Sequence, residues 1–133
     1  MNDNQQIIRN YFAAFEALDS NKLADFIADD IVFTLPYSPE WFYKRLEGKE
    51  KVIEVLSNVI NSAQSMLFKL DIKPLLNPNE FVVIFDGEVL FKNGSQYNNH
   101  YINLFTITDC KISAMVEYFN PAIVEASFKP DNI

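Results

Sequence analysis

The chain is poor in the residues that make covalent or metal-centred sites. Its 133 residues include one cysteine, Cys110, and one histidine, His100. A single cysteine cannot close an internal disulfide, and one cysteine with one histidine does not make a zinc-type ligand set. Cations are also scarce: 11 Lys and Arg stand against 18 Asp and Glu, for a formal charge of −7. With no basic stripe there is little to neutralise a phosphate backbone, so nucleic acid is not an expected partner. No apolar run approaches the roughly 18 residues that a membrane helix needs. The opening MNDNQQ has neither the charged nor the apolar region of a signal peptide. The expectation is a soluble, cytoplasmic protein without metal or organic cofactor.

What is abundant is apolar and aromatic material, 49% and 14% of the chain. That is ample for one core, and the length suits one domain spanning residues 1–133. Ile7, Ile8, Tyr11, Phe12, Phe15 and Leu18 recur at helical spacing and predict an amphipathic helix over residues 4–18. Asp19, Ser20 and Asn21 supply turn and cap chemistry before a short helix with Leu23, Phe26 and Ile27 buried. The string DDIVFTLPY reads as a strand ending at Pro36, and SPEWFYKRLEG reads as irregular. A third helix is expected over residues 49–62, with Val52, Val55, Leu56 and Val59 on one side.

From there the period changes to that of strands. SMLFKLDIKPLL, EFVVIFDGEVLFK, QYNNHYINLFTIT and KISAMVEYFN are divided by turn signals at Asn77-Pro78-Asn79, Asn93-Gly94 and Thr108-Asp109-Cys110. Helices followed by consecutive strands imply an α+β domain with an antiparallel sheet. Several strands are apolar on both faces, as in EFVVIFDGEVLF, which fits helices on one side and a partner subunit on the other. A C-terminal segment folded over the sheet is the alternative, with little chain after Asn120 to supply it.

One carboxylate stands out. Glu117 lies among Met115, Val116, Tyr118 and Phe119 in KISAMVEYFNP. A carboxylate in such surroundings is either hydrogen-bonded, raised in pKa, or turned to an exposed face or a cation.

The strings NYFAAFEALDSNKLADFIADDIVFTLPY, EGKEKVIEVL and DCKISAMVEYFNP resemble the SnoaL-like branch of the nuclear transport factor 2-like superfamily. That superfamily also holds ketosteroid isomerases, limonene epoxide hydrolases and the phenazine-biosynthesis A/B proteins. The last are the nearest in type, through FDGEVLF, YNNHY and EYFNP. The resemblance implies a cone: a strongly curved antiparallel sheet wrapped around three N-terminal helices, with an apolar pocket inside and a homodimer formed through the outer sheet face.

It also implies site residues. Strand alternation puts Met115, Glu117 and Phe119 inside, together with Tyr97, Asn99, Tyr101, Asn103 and Phe105. Glu117 matches a catalytic carboxylate of the epoxide hydrolases, whereas Asn103 and Tyr11 match the two groups that hold the substrate oxygen in ketosteroid isomerases. The isomerases' general base falls at Leu35, an apolar residue, so their ordinary chemistry is disfavoured. Ile84 falls where epoxide hydrolases carry an arginine, which disfavours that reaction too. The expected pocket lining is Leu35, Tyr37, Trp41, Val52, Leu56, Ile84, Asp86, Asn99, Tyr101, Met115 and Phe119. Trp41, Phe42 and Tyr43 are expected to cover its entrance, and a hairpin edge in water is the alternative place for Asp86 and Glu88. His100 is expected on the dimer side or the rim, and Arg45 on a ligand carboxylate or on Glu47. Two functions stay open: an isomerase- or cyclase-like enzyme that moves a proton on an apolar, ring-bearing carbonyl compound, and a non-catalytic protein that binds a small apolar ligand in the same pocket.

Overall fold

The computed structural model describes residues 3–128. The order of elements is helix α1 (Asp3–Glu16), helix α2 (Ser20–Leu23) with a 3-10 turn (Ala24–Phe26), and strands β1 (Ile27–Thr34) and β2 (Arg45–Glu47). Helix α3 (Lys49–Ser62) follows, then β3 (Ala63–Pro74), β4 (Glu80–Phe91), β5 (Gln96–Thr108), β6 (Lys111–Phe119) and helix α4 (Pro121–Phe128). One six-stranded sheet runs β2-β1-β6-β5-β4-β3, open at both edges. All neighbours are antiparallel except β1 and β6, which run parallel because the chain returns to β1 from the far end of the meander.

Each helix forms for a local reason. On α1 the buried residues Ile8, Tyr11, Phe12, Ala14 and Phe15 make one apolar stripe laid against the sheet. Asp19 caps α2 by accepting from the Lys22 N–H at 3.3 Å, and the 3-10 turn hands the chain to β1 at Ile27. Ile27 is therefore a strand residue, not part of the short helix: its extended backbone, φ −111° and ψ 129°, begins the ladder to β6. Val52, Val55 and Ile60 are buried on α3.

Two elements go beyond the sequence reading. Three residues of the stretch read as irregular, Arg45–Glu47, pair with β1 as an edge strand whose middle residue Leu46 is buried. The segment after Asn120 forms α4. Asn120 accepts from the Ala122 N–H at 3.0 Å and Pro121 sits at the first helical position, a capped start that needs no N–H from the proline.

The concave side of the sheet holds the core, an aromatic cluster in which Tyr11, Phe12 and Phe15 of α1 meet Phe68, Phe85 and Phe105 of β3, β4 and β5 at centroid separations of 4.8–6.0 Å. On the convex side Leu67, Ile84, Ile102 and Leu104 are exposed. No helix among the described residues is long and apolar enough to cross a membrane.

Candidate functional site

Cross-strand register decides which side chains look into the cone. Asn103 pairs with Glu117 on one side and Val83 on the other, and Tyr101 pairs with Phe119 and Phe85. Residues directly opposite point to the same face. Two rows therefore cross the concave wall: Val83, Asn103 and Glu117, then Phe85, Tyr101 and Phe119. The same register sends Ile84, Asp86 and Glu88 to the convex face. Ile84 is 41% exposed, and Asp86 Oδ1 accepts from the exposed His100 ring at Nδ1, 2.5 Å away. The expectation that Ile84 and Asp86 line the pocket is thus corrected by one residue of strand phase. The inward residues of β4 at this level, Val83 and Phe85, carry neither the arginine nor the aspartate of an epoxide hydrolase.

Between the helices and this wall lies a cavity of about 410 Å³, a volume in the range of small-molecule sites. Its walls include Tyr11, Phe12 and Phe15 from α1, Leu35 after β1, Leu56 and Val59 from α3, and Val124 and Phe128 from α4. Trp41, Phe42 and Tyr43 also line it while each stays about two-fifths exposed, as an entrance rim would be. Trp41 reaches across to Phe128, ring centroids 6.5 Å apart, so the rim is closed on one side by α4. The sequence reading missed this contribution; the Asn120-Pro121 helix start is the signal that could have found it.

Of the expected lining, Leu35, Trp41, Leu56, Tyr101 and Phe119 face the cavity, as do Tyr11, Asn103 and Glu117. Four others lie elsewhere. Tyr37 is 58% exposed, packed edge-on against Tyr118 outside, because β1 ends at Thr34 and the turn at Pro36 breaks the alternation. Val52 is fully buried in the packing of α3 and takes no part in the cavity wall. Met115 sits in the core, paired with Phe105 and Phe33 below the floor. Asn99 points inward, but its amide is spent on Tyr97 and on the backbone of His100 and Asn120. Arg45 pairs with Glu47 at 2.7 Å on the surface.

The polar residues in the cavity are few. Asn103 Nδ2 donates to Glu117 Oε1 at 3.1 Å, while Asn103 Oδ1 is buried without a partner. The Glu117 side chain keeps some accessible surface because the cavity is open space, but the surrounding protein excludes most bulk water. Burial lifts its pKa from 4.5 to about 7, and the Asn103 hydrogen bond pulls the other way without cancelling it. Tyr11 is pushed well above its ordinary value, first by burial and then by the nearby Glu117 charge, so its phenol stays protonated. The arrangement supplies one group that can exchange a proton near neutral pH and two that can hold an oxygen.

The sequence matches the family model for the SnoaL-like domain over residues 8–115, and the chain belongs to that family. Its fold is the nuclear transport factor 2-like cone. Among curated relatives, the uncharacterised protein YesE of Bacillus subtilis is 25% identical over 126 residues, covering 92% of this chain and 85% of its own. A Bacillus subtilis crystal structure provisionally named an isomerase superposes with a TM-score of 0.84 at 22% identity, covering 95% of this chain and 92% of the other. A Mycobacterium tuberculosis protein, Rv0760c, solved with estradiol-17β-hemisuccinate, has a TM-score of 0.79 at 17% identity, with 92% of this chain and 98% of the other covered. At such identities the two structures speak for the fold alone.

Proposed function

We propose that this protein is an isomerase- or cyclase-like enzyme of the SnoaL-like family, which moves a proton on an apolar, ring-bearing carbonyl compound held in the cavity. Glu117 is the acid or base, and Tyr11 and Asn103 hold the oxygen on which charge develops. One observation carries this reading: a carboxylate with a pKa of about 7 stands on the wall of an otherwise apolar cavity of about 410 Å³. A group poised there can both take and return a proton at working pH. The isomerase designation of the Bacillus subtilis neighbour and the ring-bearing ligand of the Mycobacterium tuberculosis neighbour are in keeping with it. The protein works as a homodimer joined through the exposed Ile84, Ile102 and Leu104 of the convex face.

A second reading, a non-catalytic carrier or sensor, is favoured by Leu35. It lines the cavity, 4% exposed, where ketosteroid isomerases carry their base, and among the described residues the cavity lining holds no ionisable group besides Glu117 and tyrosines. Deuterium exchange α to the carbonyl of a bicyclic ketone such as 2-tetralone separates the two. The enzyme reading expects wild type to accelerate exchange and Glu117→Gln to lose on the order of a hundredfold or more of that acceleration. Binding of the ketone without any acceleration would leave the carrier.

A further inference from the structure

Besides Glu117 and Asn103, the cavity has a second polar station, on the side toward α4, where Tyr97 and Tyr101 stand four residues apart on one face of β5, with Asn99 between them. Its direction is set by Asn99, which is 1% exposed. Asn99 Oδ1 accepts from two backbone N–H groups, those of His100 at 2.7 Å and Asn120 at 3.1 Å. A backbone N–H cannot accept, so the amide cannot be turned over, and Nδ2 has to face its other partners. It donates to the Asn120 carbonyl at 3.2 Å and to the Tyr97 hydroxyl oxygen at 2.8 Å. In that bond Tyr97 is the acceptor, and its own hydrogen points elsewhere.

The Tyr101 hydroxyl lies beside it, close enough that each ring alters the other's ionisation. A contact between the two hydroxyls uses only one of their two hydrogens. Among the described residues no other hydrogen bond reaches either hydroxyl, so at least one hydrogen has no acceptor among them, and both rings line the cavity. The rings are held in place. Tyr101 stacks on Phe85 at 4.6 Å with an interplanar angle of 7°, and Tyr97 packs edge-on against Phe128 of α4 at 4.8 Å. Gly87 leaves the room that Tyr101 needs: a Cβ there would sit 3.1 Å from its ring. A rigid donor loses little freedom on meeting its acceptor.

Resting on the ligand-cavity reading above, we propose that the Tyr97–Tyr101 pair, aimed by Asn99, is a specificity-determining hydrogen-bond donor that takes a neutral acceptor oxygen of the ligand: a ketone, quinone or lactone carbonyl. A carboxylate is a poor fit, because Glu117 faces the same space and, among the described residues, no Lys, Arg or His lines it. A ligand that can only donate at this point meets a donor and is rejected.

The test uses the full chain and two neutral tricyclic probes that differ by one carbonyl, 9-fluorenone and fluorene, followed through the fluorescence of Trp41, the single tryptophan, which lines the cavity. Wild type is expected to bind fluorenone more tightly, with its carbonyl infrared band shifted to lower frequency. In the double variant Tyr97→Phe/Tyr101→Phe, fluorenone should weaken by about fivefold to tenfold and lose the band shift, whereas fluorene should change by less than about twofold. Tyr97→Phe and Tyr101→Phe singly, which keep both ring shapes, give the same comparison if the double variant fails to fold. Equal losses for both probes, or unchanged fluorenone binding and band position, would overturn the inference and leave the cavity reading standing. A wild type that binds neither probe would overturn the cavity reading and this inference with it.

Discussion

Moving the Glu117 carboxylate from water to the cavity wall couples folding to pH, and the sign follows from which state holds the proton. In the unfolded chain the group titrates near 4.5, and in the folded protein near 7. Below pH 4.5 both states are protonated and Glu117 contributes nothing. Between about 4.5 and 7 the unfolded chain has released its proton while the folded protein retains it, so rising pH favours unfolding. Above 7 both are ionised, and the folded state carries a constant penalty on the order of 3 kcal/mol, from about 1.4 kcal/mol per pKa unit. Glutamine has the same shape and no charge. Glu117→Gln is therefore expected to come close to wild type at about pH 4 and to exceed it by roughly 2–3 kcal/mol at pH 8. Urea denaturation of both proteins at several pH values measures the difference, from which the other carboxylates cancel. Parallel curves would mean that the carboxylate is well solvated, and the proton-transfer reading would lose its basis. That Glu117 is anomalous was legible in the sequence, since it interrupts an apolar strand. That Asn103 is its partner was not derivable from the strand alone, because it depends on the register between β5 and β6.

Among the elements, the β5–β6 hairpin carries a local conflict. Asp109 and Cys110 both have positive φ, 50° and 62°, and link the paired residues Thr108 and Lys111. Two consecutive left-handed residues make the tight turn whose twist suits a hairpin, and the second position favours glycine. A cysteine there holds its Cβ against the backbone at a cost of roughly 1 kcal/mol. Cys110→Gly removes that strain while adding some entropy to the unfolded chain, so a net gain of about 0.5–1 kcal/mol is expected. It should be seen as a higher urea midpoint with unchanged slope; a lower midpoint would show that the thiol makes compensating contacts. The turn itself was legible, as were α1 and α3, because each of those helices has one apolar stripe and one polar face. β4 was not. Phe81, Val83 and Phe85 alternate with Val82 and Ile84, both sets are apolar, and pattern alone leaves the strand's phase open by one residue. The pairing of Phe85 with Tyr101 decides it. β2 is too short for any periodicity, and α4 was missed because its start signal, Asn120-Pro121, reads equally as a turn.

At the scale of the whole molecule, the order of elements was enough for the α+β class, and the two-faced strands pointed to a second covered surface. The concave face is covered by the helices. No helix among the described residues covers the convex face, and its composition argues for a second copy. Two rows cross three strands there: Val82, Leu104 and Val116, then Ile84, Ile102 and Tyr118. Ile84, Ile102 and Leu104 are 41%, 47% and 38% exposed and adjoin one another across β4 and β5, a cluster of large apolar side chains of the kind that marks an interaction surface. The edge strand β3 borders this patch with charges of both signs, Lys73 paired to Asp71 at 3.2 Å, and Lys69 stands opposite Asp86. A two-fold axis through the patch would lay apolar rows on apolar rows and let each charged border meet its opposite, the self-complementarity that an isologous interface requires. The protein is thus expected to run as a dimer in light scattering coupled to gel filtration. Ile102→Lys, which sets a cation at the centre of each facing patch, should give a folded monomer with unchanged circular dichroism, because the side chain points away from the core. A wild type that remains monomeric at tens of micromolar would show that the convex face serves some other purpose. A monomeric variant that still binds ligand would show that each cone encloses its site alone, as the wall built from α1, α3, α4 and the sheet of one chain implies.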